Sequence, residues 1–251
     1  MQRLWNSAQQ THRGKRRRHN EDAVLSRCSD RLWAVADGMG GHQAGEVASQ
    51  AITAALAGVS LVGTLSAQVD AVEDALLTVN DELRLHARAQ GAATTIGSTV
   101  VAMLTDDETG VVLWAGDSRL YRLRDGRLEQ ITRDHNPVSD LLDSGAVSEE
   151  QALAADTNII TRAVGGQPRL FLDVAVFDVR PEDTYLLCSD GLYRELSMQT
   201  MADLLAAGSL CGVADQLLEH CLAGAASDNI SLVLVRPQTT GAEAGERGWA
   251  A

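Results

Sequence analysis

Five acidic positions in this 251-residue chain share one setting. Asp37, Asp117, Asp190 and Asp228 each stand at the boundary of an apolar run, in Val-Ala-Asp-Gly, Ala-Gly-Asp-Ser-Arg, Cys-Ser-Asp-Gly and Ser-Asp-Asn-Ile. The fifth, Glu21-Asp22, opens another such run. Taken singly, each is ordinary turn chemistry, which Asp and Gly favour. Taken together they ask for a further reason, because a carboxylate beside buried apolar chain is costly unless a cation compensates it. No His or Cys ligand accompanies them. An all-oxygen ligand set selects hard cations, Mg²⁺ or Mn²⁺ before Ca²⁺. Two such ions about 3.5–4 Å apart can share one carboxylate and one water, and that water ionises near neutral pH. The chemistry such a cluster favours is in-line attack of a metal-bridging hydroxide on phosphorus, with the ions neutralising the phosphoryl oxygens. Arg17, four residues before Glu21, is placed to grip a phosphate.

Positioning these groups falls to strands and helices that the apolar pattern marks out. The stretch Asp37-Gly38-Met39-Gly40-Gly41-His42 follows Leu32-Trp33-Ala34-Val35-Ala36 and precedes a periodic helix. A carboxylate at a strand end, followed by a glycine turn that lets a backbone carbonyl approach, suits an ion. A first strand is expected over 4–13 and a strand pair over 22–28 and 31–37. A helix stripe then runs through Ala44, Val47, Ala48, Ala51, Ile52, Ala55, Leu56 and Val59, and a second helix at about 66–90 buries Val69, Val72, Leu76, Val79 and Leu83. Two helices with a short link form an antiparallel pair. Strands follow at 97–104 and 111–117, and at 118–124 and 127–131 around the hairpin turn Asp125-Gly126. Residues 133–168 are polar, weakly helical at 137–144 and 148–155, and read as a surface flap. Strands return at 170–178 and 184–190, then a helix pair at about 197–206 and 211–223, and a last strand over 229–235. Hairpin order without strand–helix alternation excludes a doubly wound parallel sheet. The expected fold is α+β, a four-layer α-β-β-α sandwich of two antiparallel sheets flanked by helix pairs. It forms one domain over 1–236, followed by an aperiodic tail over 237–251.

A net charge of −13 argues against a nucleic-acid surface and suits a protein that gathers carboxylates for cations. The basic run Lys15-Arg16-Arg17-Arg18 reads as a solvated loop. Cys28, Cys188, Cys211 and Cys221 are scattered and read as small buried hydrophobes in a reducing compartment. The N-terminus shows no apolar signal segment and no run is long enough for a membrane span, so a cytoplasmic protein is expected.

Several ordered motifs then carry a resemblance over about residues 6–235: Gly14-x-x-Arg17-x-x-Asn20-Glu21-Asp22, Asp37-Gly38-Met39-Gly40-Gly41-His42, Gly45-Glu46-x-Ala48-Ser49, Gly97-Ser98-Thr99, Gly116-Asp117-Ser118-Arg119, Thr132-x-Asp134-His135, Thr161-Arg162-Ala163-x-Gly165, Ser189-Asp190-Gly191-Leu192 and Asp228-Asn229-Ile230-Ser231. The set resembles the metal-dependent serine/threonine protein phosphatases of type 2C, in their bacterial form. That resemblance implies hydrolysis of phosphoserine and phosphothreonine on proteins. The partners would be a serine/threonine kinase and its substrates, one such kinase being of the kind that controls protein-secretion machines. It implies a monomer that uses Mn²⁺ or Mg²⁺. Asp37 would bridge two ions, Asp190 and Asp228 would hold one, and Glu21 with the Gly38 carbonyl the other. Asp117 and Asp190 would contribute to a third, weaker site. Asp22 would orient metal-bound water, and Arg17 would bind the phosphate. Eukaryotic members carry a general-acid His where Met39 stands, and Met cannot donate a proton. A water on the third metal is the preferred proton source, with His42 as its rival. The alternatives are an inactive binding domain of the same fold, which would have lost some of these ligands, and the same chemistry on a nucleotide or phosphodiester. The 4% aromatic content leaves no base-stacking platform for the latter.

Overall fold

The structure, a computed structural model, describes residues 3–40, 44–90, 96–143 and 159–238. Gly41, His42, the helix expected at 148–155 and the tail from 239 lie outside the described residues.

Two antiparallel sheets face one another. One runs in the order β1 (Trp5–His12), β11 (Ile230–Pro237), β10 (Thr184–Cys188), β7 (Arg119–Arg124) and β8 (Arg127–Gln130). The other runs β2 (Asp22–Arg27), β3 (Leu32–Gly40), β5 (Val100–Thr105), β6 (Thr109–Ala115) and β9 (Asp173–Asp178), with β4 (Ile96–Ser98) pairing the far end of β3. Strand β3 shows how sequence becomes layers. Leu32, Ala34 and Ala36 pack toward the helices α1 (Ala44–Gly58) and α2 (Leu65–Gln90), while Trp33 and Val35 point into the space between the sheets. Period-two alternation in a strand that is apolar on both faces serves two cores at once. The outer face of the other sheet is covered by α5 (Met198–Leu205) and α6 (Leu210–Ala223).

The expected element order holds, with local differences. Val47 is exposed and Ser49 takes a buried place on α1, so the helix is rotated slightly from the predicted stripe. Cys211 is exposed and Cys28 half-buried; only Cys188 and Cys221 behave as buried hydrophobes. The strand expected to run through 190 stops at Cys188, and Asp190 instead opens a short helix, α4 (Asp190–Tyr193). The hairpin turn has Asp125 at φ 51° and Gly126 at φ 74°, the left-handed pair that a two-residue turn matching sheet twist requires. Of the stretch expected as a flap, the first helix α3 (Pro137–Asp143) is present. Its flanks are tied down: His135 is buried, its N–H donates to the Gly116 carbonyl at 2.9 Å, and Thr161 N–H donates to the His135 carbonyl at 2.9 Å.

Candidate metal centre

Register puts the first two acids side by side, because β2 and β3 pair with Asp22 opposite Asp37. The strand does not end at Asp37. It continues through Gly38, Met39 and Gly40 against β4. That continuation fixes the Asp37 backbone: its carbonyl accepts from Thr99 N–H and Ser98 Oγ, each at 2.9 Å, and its N–H donates to Thr99 Oγ1 at 3.1 Å. Gly38 is the point where three segments touch. Its N–H donates to the Glu21 carbonyl at 3.1 Å, and a Cβ there would lie 2.1 Å from the Gly45 carbonyl oxygen and 2.5 Å from that of Glu21. Any side chain would push α1 and the Glu21 loop away from the strand.

The other sheet brings the remaining acids to the same corner. Asp190 follows β10, and Asp228 precedes β11. The sheets are stitched there by Ser189, whose Oγ donates to Asp22 Oδ2 at 2.8 Å and accepts from Ser231 N–H at 3.1 Å. Asn229 clamps the basic loop between β1 and β2. Its Nδ2 donates to the carbonyls of Arg13 and His19 at 3.0 Å each, and its Oδ1 accepts from Glu21 N–H at 2.8 Å. Gly14, at φ 72°, lets that loop lie against Asp228, since a Cβ would sit 2.0 Å from the Asp228 carbonyl oxygen. The clamp delivers Arg17 to Asp228, Nη2 to Oδ2 at 2.7 Å. Asp117, in the turn after β6, completes the corner: it is 3% exposed and 3.7 Å from Arg194 Nη2, which reaches Asp190 Oδ2 at 3.0 Å.

The corner holds too many carboxylates for its cations, and its proton affinities record that. Burial pushes Asp37 well above the carboxylate range, with Asp22, Asp190, Asp117 and Asp228 adding to the effect. Burial raises Asp22 to about 7 against the opposing hydrogen bonds of Ser189 and Ser231, and raises Asp117 to about 6 with help from Asp190. Burial also raises Asp190, with Arg194 opposing. Two buried carboxylate oxygens, Asp22 Oδ1 and Asp117 Oδ1, have no hydrogen-bond partner. Arg17 and Arg194 each draw an acid aside, and among the described residues no three His, Cys, Asp or Glu side chains are gathered about one point. An all-oxygen, charge-excess, partly orphaned set still fits hard divalent cations, whose arrival would relieve the repulsion.

All the residues singled out from sequence among those described, Arg17, Glu21, Asp22, Asp37, Gly38, Asp117, Asp190 and Asp228, reach this corner or its rim. The sequence reading gave no role to Ser189 and Asn229, which it named only within motifs, and missed Tyr193 and Arg194. The signal for Arg194 was its spacing four residues after Asp190, which places it on the same helix face only once Asp190 is read as a helix start.

The model of the family described as Protein phosphatase 2C matches residues 9–223. The chain is 38% identical over 238 residues to the serine/threonine protein phosphatase PstP of Mycobacterium tuberculosis, covering 90% of this chain and spanning 44% of that relative's length. Its fold matches PppA, described as a key regulatory component of the T6SS in Pseudomonas aeruginosa, with TM-score 0.86 and 39% identity over 94% of this chain and 98% of that one. It also matches the catalytic domain of PstP in complex with two manganese ions, with TM-score 0.81 and 35% identity over 94% and 99% of the two chains. With its two-sheet sandwich and its corner of carboxylates, the chain belongs to the protein phosphatase 2C family.

Proposed function

We propose that this chain is a metal-dependent phosphatase that hydrolyses phosphoserine and phosphothreonine on proteins. The observation that carries the reading is the convergence of Asp22, Asp37, Asp117, Asp190 and Asp228 from both sheets onto one corner, with Arg17 at the rim. Bound Mn²⁺ or Mg²⁺ would supply Lewis acidity and lower the pKa of coordinated water. In this reading Asp37, Asp190, Asp228, Glu21 and the Gly38 carbonyl would hold the two ions, with Asp37 the group that both would use. Asp22, braced by Ser189, would orient the attacking water. Arg17 takes the substrate phosphate: it is half-exposed and held by one carboxylate, so it can turn once Asp228 has another partner. The third ion expected from sequence would have to enter between Asp117 and Asp190. The residues at 133–168 form the flap of a single catalytic domain over 1–236.

No helix among the described residues is long and apolar enough to cross a membrane. We place the protein in the cytoplasm as a monomer that reverses a serine/threonine kinase. The likeness to PppA supports a kinase tied to a secretion system. The test is hydrolysis of a phosphothreonine peptide and of p-nitrophenyl phosphate with Mn²⁺, with Mg²⁺ and with chelator. Turnover is expected with either metal, and turnover that survives chelation would sink the mechanism.

A further inference from the structure

Arg194 pairs with the two acids that a third ion would use. Because α4 begins at Asp190, Arg194 comes one helical turn later and its side chain folds back over the acid. Its Nη2 lies 3.0 Å from Asp190 Oδ2 and 3.7 Å from Asp117 Oδ2. The two backbones that carry these groups are tied together, since the Tyr193 hydroxyl donates to the Asp117 carbonyl at 3.0 Å. The Tyr193 ring is itself covered by the Arg119 guanidinium, 3.5 Å from its centre, and Arg119 grips Asp134 with two hydrogen bonds, at 2.9 and 2.7 Å. Asp117 and the Arg194 helix are therefore joined by a side-chain bond besides the Arg194 ion pair. A hard ion bound through these same two oxygens, at about 2.0–2.6 Å from each, would compete with Nη2 for them. A guanidinium is always charged, has no lone pair to offer, and repels such an ion.

We propose that Arg194 is the resident cation of the Asp117–Asp190 pair, so that the chain takes two divalent ions at the Asp37 corner and none between Asp117 and Asp190. This rests on the metal-centre reading proposed above and revises its third site. It also removes a water on a third ion as the proton source for the departing serine or threonine, and Arg194 cannot replace it, because the guanidinium does not give up its proton.

The experiment counts bound Mn²⁺ per chain, by native mass spectrometry and isothermal titration of the full chelator-stripped protein. Arg194→Gln, Arg194→Lys and Asp117→Asn are measured beside it. Two ions are expected in the unaltered chain, in Arg194→Lys and in Asp117→Asn, and three in Arg194→Gln. Three ions in the unaltered chain or in Arg194→Lys, or two in Arg194→Gln, overturns the proposal while leaving the two-ion centre standing. Should Arg194→Gln fail to fold, Asp117→Asn still decides: a count one lower than that of the unaltered chain means that Asp117 holds an ion, and the proposal falls. Fewer than two ions in the unaltered chain overturns the metal-centre reading and the proposal with it.

Discussion

Strand β10 carries an acid just beyond each end, and the two ends solve charge in opposite ways. Before its start, Asp183 is fully buried and gripped by Arg124 at 2.7 and 2.6 Å, with the Tyr185 hydroxyl donating at 2.8 Å and Arg180 N–H at 2.7 Å. Asp178 beside it pairs with Arg122, Arg124 and Arg180, and Arg122 also pairs with Glu129. Burial alone would raise Asp183, yet Arg124 and the Arg180 backbone hold it below the ordinary range. After the other end of β10, Asp190 joins Asp22, Asp37, Asp117 and Asp228, with Arg17 and Arg194 alone pairing with them among the described residues, and the buried acids are pushed up. Acids balanced by arginines hold a strand end in place, whereas acids left in excess mark a site waiting for charge from outside the chain. Lowered against raised proton affinity, along one strand, separates the structural end from the functional one.

The hardest blow to that contrast is Asp37→Asn. It should cost turnover on a phosphothreonine peptide more than ~100-fold, since first ligands matter more than the outer partners whose loss costs ~10–100-fold. The fold should survive, because an overcharged corner loses repulsion. If thermal unfolding instead shows that Asp37→Asn unfolds the protein, the corner is structural and the contrast is wrong. Asp183→Ala should do the reverse. It leaves the largely buried Arg124 guanidinium with Asp178 alone and takes the acceptor from the Tyr185 hydroxyl and the Arg180 N–H, and should lower stability by about 3 kcal/mol in urea unfolding. Turnover per folded molecule should stay within about twofold, because Asp183 touches nothing at the metal corner.

The two ends should also answer pH with opposite sign in metal-free protein. Asp22 at about 7 and Asp117 at about 6 bind protons more tightly folded than unfolded. Their contribution is fully present below about pH 4 and is lost as pH rises through 6 to 7. Asp183, held low, contributes stability above about pH 4 that is lost on further acidification. Urea midpoints in chelator should therefore be higher at pH 5 than at pH 8, and Mn²⁺ should reduce or reverse that order. An unchanged midpoint in chelator would mean that the corner acids are not in excess. The smallest effect is Asn229→Ala, which frees the carbonyls of Arg13 and His19 and the Glu21 N–H. It should cost about 1–2 kcal/mol of stability and weaken Mn²⁺ binding, read by isothermal titration.

Much of this was legible before any coordinates. Apolar runs such as Leu32–Ala36 and Val111–Ala115 had to be strands covered on both faces, and the Asp125-Gly126 turn had to close a hairpin. The acids stood out because several together at apolar boundaries ask for a reason that each alone does not. What sequence could not supply was distance. Asp22 and Asp37 are opposite only because a pairing register makes them so, and Asp190 meets them only because two sheets stack. Whether Asp190 ended a strand or began a helix turned on a few residues, Ser189-Asp190-Gly191-Leu192, that suit either. Gly191 settles it by packing against the Asn229 carbonyl, where a Cβ would sit at 1.9 Å. From that choice follows the position of Arg194, and with it the balance of charge at the corner. By itself the sequence determined which groups were available, since residue type and period act locally. Which of them share one point, and which acid keeps a cation of its own, only tertiary structure decided, because charge interactions depend on separations that chain order does not encode.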